Sequence, residues 1–209
     1  MSGAACEEKR AAMCGEKCAV LREEKRAARR AAALRASALP PEAWREGGLA
    51  MAKTLFARDE WRRAGVVFCF ASAAREPDTW PILRRALAEG KRLCVPLCEG
   101  GEMTARAVSS LEELSPGAWG IAAPGKDAPR VEAGEIGLCL APCAAMDRRG
   151  VRLGRGGGYY DRFLPRLAPG TPVFALCMRE LLFDALPAEA HDARIARILT
   201  QDGVLPAAP

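Results

Sequence analysis

Apolar residues are scattered through positions 1–63 of the chain and then gather into short unbroken runs. Residues 23–39, EEKRAARRAAALRASAL, are strong helix formers almost throughout, and Pro40-Pro41 stops the helix they predict. PEAWREGGLAMAKTLFARDEWRRAG predicts a second helix over 41–65, with Pro41 in its first turn and Glu42 placed well for the helix dipole. Gly47-Gly48 weakens it and Gly65 ends it. The period then changes. GVVFCFA (65–71) is a continuous apolar run, as in a strand buried on both faces. KRLCVPL (91–97), EMTARAV (102–108), EIGLCLAP (135–142) and TPVFALCM (171–178) predict further strands. TWPILRRALAEG (79–90) reads as an amphipathic helix closed by Gly90, SLEEL (110–114) as one helical turn, and GYYDRFLPRL (158–167) as a short helix. ARIARILT (193–200) alternates and predicts an edge strand. Strands and helices in this alternation predict an α/β fold: a single-domain, doubly wound, mostly parallel sheet with helices on both faces. Residues 21–205 would form that domain. Residues 1–20, poor in large apolar side chains, would be a flexible N-terminal extension.

The chain has 209 residues, half of them apolar and 27% charged, which suits one good-sized core. No apolar run is long enough to cross a bilayer. The first residues carry scattered charges and no apolar signal core, so a cytoplasmic protein with no membrane partner is expected. The nine cysteines are odd in number, and most sit inside apolar runs. Three pairs have C-x-x-x-C spacing, and the single histidine, His191, is far from all of them. Buried free thiols are therefore favoured over zinc ligands or a disulfide framework. The net charge of +5 is concentrated at the start: residues 1–63 hold 14 Lys/Arg against 9 Asp/Glu, and the remainder is balanced. Such a segment suits an anionic partner, either nucleic acid or a polyanionic small molecule.

RLGRGGGYYDRF (152–163) holds the densest chemistry. Bare glycines allow backbone N–H groups to approach a phosphate, and the loop leads from a strand region into a helix, where α/β proteins bind ligands. Arg152 and Arg155 can pair with phosphate oxygens, and Asp161 offers a hard oxygen ligand for Mg²⁺ on the same phosphates. The stretch is not a Walker P-loop, because G-x-x-x-x-G-K-[ST] is missing. It is not a G-x-G-x-x-G fingerprint either, because Tyr159 stands at the last position.

This stretch resembles the signature of the 5-formyltetrahydrofolate cyclo-ligase family, and APCAAMDRRGVRLGRGGGYYD resembles that family's strand end, D-x-x-G turn and glycine loop. Other segments follow in the family's order: KRAAR (25–29), REPDT (75–79), WGIAAP (119–124) and HDARIARILT (191–200). The resemblance covers roughly residues 25–200. It implies ATP- and Mg²⁺-dependent closure of 5-formyltetrahydrofolate to 5,10-methenyltetrahydrofolate through a phosphorylated formyl group, with release of ADP and phosphate. It also implies a fold like that of sugar-phosphate isomerases and CoA transferases. Two rivals stand beside it: a phosphosugar isomerase on the same fold, and a nucleic-acid-binding module using the basic N-terminal helices.

By the resemblance, Lys25 and Arg29, at i and i+4 on one helix face, reach the ATP phosphates. Arg152, Gly154, Arg155, Gly156, Gly157, Gly158 and Tyr160 complete the ATP site. Glu76, Trp119 and Tyr159 contact the folate, which would be free or polyglutamylated. Arg155 and Tyr159 take the catalytic roles. Asp161 and Asp192 hold Mg²⁺, although Ala196 stands where relatives often carry a further aspartate. A monomer without nucleic-acid partners is implied.

Overall fold

The computed structural model describes residues 3–189 and 192–207, with side chains described from Cys18 onward. His191 therefore lies outside the described residues. The chain begins with one long helix, α1 (Gly3–Ala38). It starts well upstream of residue 23, in keeping with the Ala, Glu and Lys content of the added turns. The expected single helix over 41–65 is two helices, α2 (Pro41–Phe56) and α3 (Asp59–Arg63). Arg58 leaves helical geometry at the break (φ −90°, ψ 150°), and Arg62 donates to the Ala57 carbonyl at 2.7 Å. The bend turns Trp61 onto Phe56, ring centroids 4.9 Å apart, and buries it.

The remaining elements follow in chain order: β1 (Val66–Cys69), α4 (Trp80–Ala88), β2 (Arg92–Glu99), β3 (Glu102–Val108), β4 (Leu114–Pro116), β5 (Ala122–Pro124), β6 (Arg130–Val131), β7 (Leu138–Pro142), β8 (Ala145–Asp147), β9 (Arg152–Leu153), α5 (Tyr159–Phe163), β10 (Val173–Leu176), β11 (Leu182–Phe183), β12 (Arg197–Thr200) and β13 (Gly203–Pro206). The central sheet has the order β13-β12-β10-β7-β1-β2-β3-β6. The strands from β12 through β2 are parallel, and β13, β3 and β6 pair antiparallel at the flanks. This is an α/β fold with a mostly parallel central sheet. Its inner strands are the continuous apolar runs of the sequence, and Val67, Phe68, Leu93, Leu140 and Phe174 are fully buried.

The expected edge strand over 193–200 needs correction. Only Arg197–Thr200 is strand, and β13 lies outside it, across a tight turn that pairs Thr200 with Gly203. Residues 193–196 are held elsewhere: the Ile195 amide donates to the Gly150 carbonyl at 2.9 Å.

The chain leaves β1 toward β2 and later returns to the other side of β1 as β7. The sheet order reverses there, and the crevice beyond the carboxyl ends of β1 and β7 is the natural ligand position of such a sheet. Two flanking features shape it. The loop after β1 passes over α2 at Gly48, where a Cβ would lie 2.3 Å from the Asp78 backbone nitrogen. Glycine at this point is a packing requirement, and the Asp78 amide donates to the Trp44 carbonyl beside it. On the other flank, Ala28 and Ala32 of α1 pack on Val151, Leu153 and Leu186. That small cluster fixes the face of α1 that carries Lys25 and Arg29.

Candidate active site

A cavity of about 470 Å³ opens at the switch point. Its floor comes from the strand ends: Phe70 and Ala71 after β1, Pro142 and Cys143 at the end of β7, and Pro96 to Cys98 in β2. The walls include Glu76, Trp119, Arg152, Gly154, Arg155, Gly157, Gly158, Tyr159 and Tyr160. Nine residues singled out from sequence thus meet around one space.

Glu76 is set by its loop. Thr79, fully buried, donates to the Phe70 carbonyl (2.7 Å) and accepts from the Ser72 amide (2.9 Å), which closes the loop on itself. The Ala73 amide then donates to Glu76 Oε2 at 2.9 Å. The other oxygen accepts from Arg155 Nη2 at 2.8 Å. Glu76 is 8% exposed, whereas the Arg155 side chain is 61% exposed, so Arg155 is the movable member of the pair.

The glycine loop adopts backbone that side chains rarely take: φ is 106° at Gly156 and 65° at Gly158, the residue just before α5. Three arginines hold it. Arg29 Nε donates to the Gly154 carbonyl at 2.9 Å, and its guanidinium lies 3.6 Å from where a Gly156 Cβ would stand. Arg152 bonds Asp161 Oδ1 at 3.0 Å and the Pro142 carbonyl at 3.3 Å. Arg162 bonds the Gly157 carbonyl (3.0 Å) and the Gly101 carbonyl (2.8 Å), and lies over the Tyr159 ring. The helix after the loop is the short one expected over 158–167: five α-helical residues, α5, continued by a 3-10 turn at Leu164–Arg166. The positive potential here is therefore mainly that of the arginines.

Two buried polar atoms in the cavity wall, Arg152 Nε and the Tyr160 hydroxyl, have no hydrogen-bond partner among the described residues. Burial pushes the Tyr160 phenol well above its ordinary pKa, so it is a neutral donor at physiological pH. Trp119, by contrast, is 74% exposed at the turn joining β4 to β5, with φ 58°, and meets Tyr159 edge-on at 6.0 Å. It belongs to the mouth of the cavity and not to the core.

Lys25 and Asp192 do not line the cavity; they pair with each other. Lys25 Nζ lies 2.7 Å from Asp192 Oδ2 and 2.6 Å from Glu189 Oε2. Burial lowers the lysine pKa, but hydrogen bonds to Asp192 and Glu189 outweigh it and raise the value overall. Asp161 and Asp192, the two expected metal ligands, are thus held by different cations, Arg152 and Lys25. Among the described residues no three His, Cys, Asp or Glu side chains gather as a metal site. Glu189, Thr79 and Arg162 were not singled out from sequence. Thr79 closes the REPDT segment, three residues after Glu76, and that spacing is the available signal. Glu189 meets Lys25 from 164 positions away, and no local pattern announces that.

The model of the 5-formyltetrahydrofolate cyclo-ligase family matches residues 10–201. A 5-formyltetrahydrofolate cyclo-ligase of Escherichia coli K12 is 31% identical over 175 residues, covering 81% of this chain and 96% of that protein. A mouse protein of the same name is 28% identical over 180 residues, covering 80% and 89%. In three dimensions the chain is similar to Aquifex aeolicus 5,10-methenyltetrahydrofolate synthetase, with TM-score 0.78 and 27% identity, covering 88% of this chain and 93% of that one. A synthetase of Mycoplasma pneumoniae shares the fold, with TM-score 0.69 and 18% identity.

Proposed function

The chain belongs to the 5-formyltetrahydrofolate cyclo-ligase family, and we propose that it converts 5-formyltetrahydrofolate to 5,10-methenyltetrahydrofolate with consumption of ATP. One observation carries this reading. The Glu76 loop and the glycine loop, distant in sequence, face each other across a single cavity and are joined there by the Glu76–Arg155 ion pair.

The residues present fit a polyphosphate. The glycine loop leaves space that a Cβ would fill at Gly154, 2.9 Å from Arg152 Nη1, and Arg152 Nε is buried without a partner. Arg29, Arg152 and Arg155 supply the charge. ATP is the cosubstrate and supplies the phosphoryl group that makes the formyl oxygen a good leaving group. The protein's part is positioning and charge neutralisation, with no covalent nucleophile. Glu76 accepts from the amino-pyrimidine edge of the folate once Arg155 turns to the phosphates. Tyr159 and Trp119 hold the substrate at the mouth, and the neutral Tyr160 hydroxyl donates into the cavity. Lys25 flanks the phosphate site from α1.

A carboxylate beside the glycine loop also fits Mg²⁺, which needs only one or two protein carboxylates besides phosphate oxygens and water. Asp161 would hold it, joined by Asp192 once Lys25 engages phosphate. The ion would neutralise phosphate charge. The reading places the enzyme in the cytoplasm, acting as a monomer on a free or polyglutamylated folate.

The test is direct. Purified protein with 5-formyltetrahydrofolate and Mg²⁺ should form the methenyl product only when ATP is added. ATP-independent product, or none under any condition, overturns the reading.

A further inference from the structure

The proposed reaction leaves unused a pair of thiols, one in the cavity wall and one behind it. Cys143 lines the cavity directly after β7, and Cys177 directly follows β10. The two strands are parallel neighbours in register, Leu176 opposite Pro142, and the cysteines stand one residue beyond that pair. Adjacent strands run about 4.8 Å apart, inside the Cα separation that a disulfide spans. Cys143 is close enough to Cys177 to be the first cause of that thiol's raised pKa. Cys143 Sγ also donates to the Leu176 carbonyl at 3.3 Å, which aims it toward the neighbouring strand.

Their exposures differ in a useful way. Cys143 is half-buried and opens on the cavity, whereas Cys177 is buried beneath it. Arg152, hydrogen-bonded to the Pro142 carbonyl, borders the same stretch of wall. A partly exposed thiol that opens on a cavity is one that a small oxidant can reach. Cys69 and Cys139 are fully buried within the sheet, and burial raises both well above the usual thiol range.

We propose that Cys143 and Cys177 form a redox-responsive dithiol in the wall of the substrate cavity, closed to a disulfide by hydrogen peroxide and reopened by a dithiol reductant. The Cys143 thiolate attacks one peroxide oxygen. The O–O bond breaks, the departing hydroxide takes up the thiol proton as water, and Cys143 becomes a sulfenic acid. The Cys177 sulfur then attacks the sulfenic sulfur. The S–S bond forms, the S–O bond breaks, and the hydroxide leaves as a second water with the Cys177 proton. Peroxide is reduced by two electrons and the thiol pair is oxidised by two. The Cys143 thiol is thereby drawn away from the cavity toward β10, which moves the wall next to Pro142 and Arg152. The nearby Cys143, then burial, holds the Cys177 thiol above its ordinary pKa, consistent with a resolving rather than an attacking role.

The kinetic consequence rests on the proposed folate reaction, but the thiol chemistry does not, so two readouts are needed. Reduced protein is treated with hydrogen peroxide and digested without reductant, and its peptides are weighed. The expected product is a peptide pair joined through Cys143 and Cys177, lighter by two hydrogens. In Cys177→Ala, Cys143 should instead stop at a sulfenic acid trapped by a dimedone probe. In the same wild-type sample the KM for 5-formyltetrahydrofolate should rise severalfold, with recovery on dithiothreitol. Absence of the Cys143–Cys177 link overturns the dithiol whatever the activity. A complete link with unchanged KM overturns its coupling to the cavity. Protein that never turns over folate, yet forms the link, refutes the proposed function and leaves the dithiol standing as chemistry.

Discussion

Arg155 Nη2 donates to Glu76 Oε1 at 2.8 Å, so an exposed arginine of the glycine loop is held by a buried carboxylate from the opposite wall of the cavity. On the proposed reading each residue has its own ligand group, the phosphates for Arg155 and the folate ring for Glu76. Each must leave the other to take it. The pair would therefore hold the site in one arrangement and be exchanged for substrate contacts.

Glu76→Gln keeps the shape but removes the charge proposed to accept from the folate. Charged hydrogen bonds contribute about 1.5–3 kcal/mol, so the KM for folate is expected to rise roughly ten- to a hundredfold with a smaller change in the KM for ATP. Steady-state kinetics with each substrate varied in turn check this. An equal change in both constants contradicts the division of roles.

Arg155→Ala should show the complementary pattern, with weaker ATP binding and lower turnover in a fully folded protein. The lost phosphate contact has a similar magnitude, about 1.5–3 kcal/mol. Circular dichroism establishes the fold and nucleotide titration reads the effect. Wild-type kinetics in the folded variant rule out the assignment.

Asp161→Asn separates a metal ligand from a structural partner of Arg152. As a ligand, its loss should raise the Mg²⁺ concentration needed for half-maximal activity and lower turnover, with little change in melting temperature. As a partner of Arg152 alone, its loss should lower stability and leave the Mg²⁺ dependence untouched. Superimposable Mg²⁺ titrations of wild type and variant sink the metal role.

Asp147 makes the pH dependence of the fold testable. Its buried carboxylate accepts from the amides of Arg149, Val151 and Leu186 and from the Arg149 guanidinium. Burial pushes its pKa up, but these bonds outweigh it and hold the group below its ordinary value of 3.8. A carboxyl depressed in the folded state adds stability that is full above its unfolded pKa and disappears as pH falls through the folded one. Asp147→Asn is expected to cost about 1–3 kcal/mol near neutral pH, with the difference from wild type shrinking in acid. Denaturant melts at neutral and acid pH measure it, and a difference independent of pH would falsify this role.

The inner strands were legible because a strand covered on both faces must be continuously apolar, as in VVFC and LCLAP. The glycine loop was legible because Arg, Gly, Tyr and Asp stand side by side in sequence. What escaped depends on distant partners. The break between α2 and α3 reflects Trp61 packing on Phe56, and helix propensity alone does not show it. β13 is a short strand ending at Pro206, with too few apolar positions to register as one. The exposure of Trp119 follows from its place in a hairpin turn, whereas an isolated tryptophan in a sequence reads equally well as core. The pairing of Lys25 with Glu189 and Asp192 likewise exists only once α1 has docked.

The central claim is that the formyl oxygen is phosphorylated before ring closure, and the fate of that oxygen tests it most directly. 5-Formyltetrahydrofolate carrying heavy oxygen in the formyl group is turned over with unlabelled ATP in ordinary water, and the released phosphate is analysed by mass. Transfer through a phosphorylated formyl group moves that atom into inorganic phosphate, one labelled oxygen per methenyl product. Label recovered in water with unlabelled phosphate would contradict the claim.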